Sequence, residues 1–151
     1  MSIDKSLLED CIAFMACRDA KRIADSVDRR LVPYNITRVQ WNALYYIDLK
    51  KGESITQREL ADLMGLREPT MVRLIDRMEK NGFLKREPSS HDRRRNNLVL
   101  TKKGAEINDK ICAIVKKFKE DCVRGIPEAD LLAFQRVLNQ VVNNCVDEQF
   151  F

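Results

Sequence analysis

Apolar residues recur along this chain at helical spacing in six stretches, and turn-forming residues separate them. Between Asp4 and Leu31, the residues Leu8, Cys11, Ile12, Met15, Ile23, Val27 and Leu31 give an interrupted apolar seam that Pro33 closes. At "ITRVQW", Thr37 is placed to cap a second helix and Gln40 to reach back to it, with Ile36 and Trp41 as a hydrophobic staple. This helix runs to about Lys50, before Gly52. The device recurs at "ITQREL", where Thr56, Glu59, Ile55 and Leu60 take the same parts. That helix is short, Gln57 to Met64, and stops at Gly65, a suitable left-handed residue. Then comes "REPTMVRLIDRMEKNG", with Met71, Leu74, Ile75 and Met78 at i, i+3, i+4 and i+7 on one dry face. Pro69 falls in its first turn, where a missing N–H costs nothing, and Asn81-Gly82 ends it. Two short helices joined by a tight glycine turn form a helix-turn-helix.

Two short runs that fit strands follow, Phe83–Glu87 and Leu98–Thr101, around the polar segment "PSSHDRRRNN". Pro88, Ser89, Ser90 and Asp92 favour a turn. The resulting hairpin is a wing with Arg93, Arg94 and Arg95 at its tip. Thr101 caps a long helix to about Val123, striped by Ile107, Ile111, Ile114, Val115 and Phe118. Gly125 breaks it, and Pro127 opens the last helix, with Leu131, Phe134, Val137, Leu138, Val141, Val142 and Cys145 as its apolar positions. Glu128 and Asp130 suit the positive end of that helix. The fold class is mainly α with a small β-hairpin wing.

The helix over 68–80 has a second stripe. Thr70, Arg73 and Arg77 lie within roughly 60° of one another, beside the dry face. Charge placement gives this stripe meaning. Thr56 to Gly104 holds twelve basic and seven acidic residues, and the rest of the chain fifteen and sixteen. The whole positive excess therefore sits in the middle third, as in a protein that reads nucleic acid. A helix fits the major groove, where an arginine pairs with both acceptors of a guanine edge. Gln57 and Arg58, at a helix start, and Arg67, a poor cap but a good phosphate ligand, suit backbone phosphates. The wing arginines suit a narrow minor groove. The plainer reading of any single residue here is a solvated side chain.

The stretch "ITQRELADLMGLREPTMVRLIDRMEKNGFLKREPSSHDRRRNNLVLTKKG" resembles the winged helix-turn-helix core of the MarR family of transcriptional regulators, and the flanking helices are similar too. The most specific pieces are "REPTMVRLIDRMEKNG" and "DRR" followed by "LTKKG". The resemblance implies a homodimer, with residues 1–36 and 105–151 as the helical dimerisation region and 37–104 as the DNA-binding domain. It also implies a repressor of a pseudo-palindromic operator in double-stranded DNA, relieved by a small molecule or an oxidant. In the wing motif, Asp92 would orient the wing arginines and pair with Arg77 or Arg73, and Arg94 would reach the minor groove. Two positions depart from the pattern. Asn96 and Asn97 stand where the wing strand usually carries apolar or basic residues, which predicts looser strand pairing. Arg67 replaces a capping serine.

Two switches are open. Trp41 and Tyr45 on the second helix and Phe14 and Arg18 on the first would, if those helices cross, frame a pocket for a small aromatic or anionic effector. The alternative for these aromatics is core packing. Cys11 or Cys17 is the candidate for a redox-responsive thiol switch, though six residues apart they point about 240° from each other and cannot pair. The tyrosines that poise the family's peroxide-sensing cysteine have no counterpart on the first helix, and a buried, inert cysteine is the plainer reading. His91 is the only histidine, and no zinc spacing or shielded nucleophile surrounds it, so no metal, no cofactor and no enzyme activity are expected. No apolar run reaches the roughly 18 residues of a membrane span. With no signal pattern at the N-terminus the expected location is cytoplasmic. A third possibility is a winged-helix protein-interaction module that does not read DNA.

Overall fold

The computed structural model describes residues 11–89 and 95–146. Helix α1 (Ile12–Leu31) leads through a 3-10 turn (Val32–Tyr34) to α2 (Arg38–Leu49), α3 (Gln57–Met64) and α4 (Glu68–Lys80). A hairpin of β1 (Leu84–Pro88) and β2 (Asn96–Leu100) follows, then α5 (Lys102–Cys122) and α6 (Glu128–Val146). The chain forms two units, one of residues Ser26–Lys116 and one made of the described residues outside it.

The first unit is built as its capping residues require. Both boxes close. The Gln40 N–H donates to Thr37 Oγ1 at 3.2 Å, and Gln40 Oε1 accepts from the Thr37 N–H at 2.9 Å. The Glu59 N–H donates to Thr56 Oγ1 at 3.3 Å, and Glu59 Oε2 accepts from the Thr56 N–H at 2.8 Å. Each box satisfies N–H groups that a helix start leaves unpaired. Gly65 ends α3 at φ 61°, a conformation that a side chain disfavours, and so turns the chain sharply into α4. Arg67 precedes α4 in extended conformation, with no capping bond from its side chain.

The apolar stripes of these helices meet in one core. Met71, Ile75 and Met78 of α4 are fully buried against Leu44, Leu60, Leu84, Leu98 and Ile111. Leu74, the fourth member of the expected stripe, is only partly buried at the rim. Each buried side chain of this size stabilises the fold by about 1.5–3 kcal/mol.

The hairpin differs from expectation at both strands. Phe83 is a buried bend before β1, and β2 begins at Asn96 instead of Leu98, with Glu87 opposite Asn97 and Pro88 opposite Asn96. The asparagines pair because β2 is held on two sides. Asn97 bridges to Thr56, and the Leu98 N–H donates to the Ile55 carbonyl at 2.8 Å. Backbone bonds on both edges offset the poor strand preference of asparagine.

The junction from wing to α5 explains "LTKKG". The Thr101 hydroxyl donates to the Gly82 carbonyl at 2.6 Å, and its N–H donates to the Phe83 carbonyl at 3.1 Å. Its oxygen accepts from the Gly104 N–H at 3.0 Å, which caps α5. Gly104 lies so close to the preceding loop that a Cβ there would stand 1.8 Å from the Phe83 carbonyl oxygen. Lys103 donates to the Asn81 carbonyl at 2.7 Å, at the end of α4, with its ammonium 4.8 Å from the centre of the Phe83 ring.

The second unit is different in kind. Among the described residues, every buried core residue lies between Leu31 and Ile111, and α6 has none. The seam expected on the first helix divides: Val27 and Leu31 join the core of the first unit, while Ile12 and Ile23 are 56% and 58% exposed, and on the last helix Phe134 is 66% exposed.

Two outcomes test this architecture. Alanine at Gly104 gains about 1 kcal/mol of helix propensity but collides with backbone that cannot yield cheaply. Gly104→Ala is expected to lower stability by about 1–3 kcal/mol net in urea unfolding. The Glu59 carboxyl is held below its usual range, first by the Thr56 N–H and next by the Thr56 hydroxyl. A lowered native value means that the stabilisation is complete above the unfolded value and is lost as pH falls through the native one. Glu59→Gln keeps the cap geometry without titrating. The stability difference between wild type and this variant is expected to be constant near neutrality and to change only below about pH 4.

Candidate nucleic-acid interface

Pinning one face of α4 leaves the other free. With Met71, Ile75 and Met78 buried, Thr70, Arg73 and Arg77 all stand exposed on the outer side. Neither arginine forms an ion pair among the described residues, so their guanidinium forks remain available for bidentate acceptors. The stripe borders a cleft of about 300 Å³ shared with Thr37, Val39 and Gln40 at the start of α2. The sequence reading did not place α2 at this face; its only signal was the cap that fixes where α2 begins.

A second cleft, of about 520 Å³, joins the start of α3 to the base of the wing. It brings together Gln57, Arg58 and Arg95, which the sequence named separately, with Glu59, Asp62 and Glu68. Arg58 and Arg95 are exposed. Arg67 is exposed in the turn before α4. Gln57 is half-buried, and its side-chain oxygen accepts from Arg86 Nη2 at 3.1 Å. Asp92, Arg93 and Arg94 lie outside the described residues, as does His91.

Arg86 is the residue that sequence reasoning missed. On β1 it shares a strand face with buried Leu84, so its cation points toward the helices. A cation on an inward face needs acids, and α4 supplies them. Arg86 Nη2 donates to Asp76 Oδ1 at 2.6 Å, and Nη1 donates to Glu79 Oε2 in a short bond. The Arg86 N–H donates to Glu79 Oε1 at 3.0 Å. Burial disfavours the Arg86 charge, but the bonds to Asp76 and Glu79 outweigh it and raise its pKa. The alternation of "LKREP" after "DRMEK" was the signal available.

The switch residues divide between the two units. Phe14 and Arg18 are exposed on the part of α1 in the second unit, with Arg18 Nε 3.1 Å from Asp19 Oδ1. Trp41 and Tyr45 belong to the first unit. Trp41 packs on the core, and its ring centre lies 5.7 Å from that of Tyr45, which is 41% exposed. All five cysteines are free; Cys11 is half-buried and Cys17 exposed. Burial pushes the Cys112 thiol up, and the nearby Trp41 indole N–H, which does not reach hydrogen-bond geometry, only partly opposes it. That is the opposite of an activated thiol. Among the described residues no cluster of His, Cys, Asp or Glu is placed to hold a metal ion, and no helix is long and apolar enough to cross a membrane.

Comparison with known proteins places this arrangement. Residues 34–95, from the 3-10 turn to the far side of the wing, match the family model described as the MarR family. The structure of S. aureus MepR in complex with DNA superposes with a TM-score of 0.82 at 19% identity, covering 91% of this chain and 98% of that one. The repressor CouR bound to a 23-mer DNA duplex gives 0.79 at 21%, covering 94% and 99%. A MarR-family transcriptional regulator from Rhodococcus sp. gives 0.73 at 25%, covering 89% and 95%. The helix-turn-helix and the hairpin thus carry the MarR-family pattern over residues 34–95, and the fold, flanking helices included, is that of the MarR-family winged-helix structures.

Proposed function

We propose that this regulator reads double-stranded DNA in sequence-specific fashion as a homodimer, repressing from a pseudo-palindromic operator. One observation carries the reading: a helix whose inner stripe is fully buried holds Thr70, Arg73 and Arg77 outward on a basic, exposed face. Inserted in a major groove, Arg73 and Arg77 would address guanine edges, each good pair worth about 1–3 kcal/mol of discrimination. Arg58, Arg67 and the start of α3 would hold phosphates and fix the register. The wing, with Asp92 orienting Arg93, Arg94 and Arg95, would reach the neighbouring minor groove. MepR and CouR, which share the fold, are each described as complexes with DNA, and this supports the reading.

The dimer rests on a separate observation. The second unit exposes apolar residues on α1 and α6 and buries none, which is an interface composition and not that of a free surface. We assign residues 1–36 and 105–151 to dimerisation and 37–104 to DNA binding. Paired subunits present two recognition helices about one turn of duplex apart, so a two-fold protein selects a two-fold site.

Duplexes selected by this protein from a randomised pool are expected to show inverted repeats, and sedimentation to give twice the chain mass. Arg73→Ala with Arg77→Ala is expected to weaken binding to the selected duplex by about 2–6 kcal/mol in total while leaving the dimer intact. A module that binds only other proteins would enrich no sequence and show no steep salt dependence with any duplex.

Relief by a small aromatic or anionic effector completes the proposal, on the strength of the exposed Tyr45 ring beside Trp41. Trp41 is the only tryptophan. Titration with aromatic acids is expected to change its fluorescence and release the selected duplex over the same concentration range. Release without any change in Trp41 emission would place the effector elsewhere.

A further inference from the structure

We infer that Arg86 is a specificity-determining positioning residue: it locks wing, recognition helix and the start of α3 into one rigid reading head. The inference rests on the DNA-reading role proposed above. Its geometric basis is the pair Arg86–Leu98 in the hairpin. The Leu98 N–H points outward, to the Ile55 carbonyl before α3 at 2.8 Å. The Arg86 N–H points outward on the opposite edge, to the Glu79 carboxylate at 3.0 Å. Both outer edges of the hairpin are therefore held by the helix-turn-helix, one by each of its sides. In an antiparallel pair such outward N–H groups ordinarily face water or another strand.

The Arg86 side chain adds a second set of ties at the same point. Its planar fork reaches Glu79 and Asp76, one turn apart on α4, and Gln57 at the start of α3. Glu79 thus holds both the backbone and the side chain of one wing residue. The Arg86 side chain is about one-quarter exposed, but Asp76 is 59% and Glu79 37% exposed, so the Glu79 tie is the better shielded of the two ion pairs. Asp76 is followed by Arg77 and lies three residues after Arg73, so the clamp grips α4 beside the arginines that face the groove. A reader that engages two grooves at once discriminates sequences only if the distance between its contacts is fixed. Looseness of about 1 Å in that distance is enough to degrade a functional constellation. Non-specific attraction to phosphates does not need that precision.

The clamp acids give a test with opposite signs. Binding is measured by fluorescence anisotropy over a salt series. The probes are a duplex enriched from a random library by the wild-type protein and a scrambled duplex of equal length and composition. Asp76→Asn and Glu79→Gln each remove a negative charge from a DNA-facing domain. A purely electrostatic role predicts tighter binding to both duplexes. The clamp predicts about tenfold weaker binding to the selected duplex with unchanged or tighter binding to the scrambled one, so the specificity ratio falls. Arg86→Gln is expected to lower the same ratio without changing the slope of log K against log salt. A slope reduced by about one unit would make Arg86 a direct phosphate ligand and overturn the inference. Parallel tightening on both duplexes, or wild-type ratios in all three variants with native circular dichroism, would overturn it as well. Failure of the wild type to enrich any sequence would instead remove the DNA-reading role, and the clamp with it.

Discussion

A helix can offer one face to a ligand only if its other face is pinned, and here the pin is the burial of Met71, Ile75 and Met78. Three side chains withdrawn from water along one stripe fix the rotation of α4 about its own axis. Thr70, Arg73 and Arg77 then have no choice of direction. Their outward aim follows from the apolar spacing and not from any bond that they make themselves. The rest of the unit serves this constraint. The capping boxes fix where α2 and α3 begin, Gly65 fixes the turn between α3 and α4, and the Thr101–Gly104 junction closes the base of the wing. Side-chain chemistry on the outer face of α4 is free to vary so long as the stripe beneath stays dry.

Local rules with a short reach were readable from the residues alone. Both capping boxes and the glycine turn between α3 and α4 have local signatures and are present as read, and the inner stripe of α4 is present with Leu74 only partly buried. What the sequence did not disclose is what lies far apart in the chain. Arg86 meets Gln57, twenty-nine residues earlier, and Thr56 meets Asn97 across the hairpin. Asn96 and Asn97 looked like weak strand residues because strand preference describes one strand, while β2 is held along both edges. The seams of α1 and α6 were legible as apolar. That α1 buries only its Val27–Leu31 end and α6 buries none of its seam among the described residues is a tertiary fact that periodicity does not carry.

The two units divide two tasks by composition. One buries its apolar residues within itself and turns charge outward. The other turns apolar residues outward and keeps few charges among them on α6, where Arg136 is the only basic residue between Glu128 and Val146. The first unit therefore has a buried core of its own, and the second, among the described residues, has none.

The tight seat of α5 has a mechanical consequence. This helix has 21 residues, so it is a rod of roughly 32 Å at 1.5 Å per residue. At one end the backbone of Gly104 rests directly on the Phe83 carbonyl, with no side chain between to act as a cushion. A rod seated this way cannot shift along the Phe83 loop unless that loop's backbone moves with it, so the start of α5 and the start of β1 keep one fixed spacing.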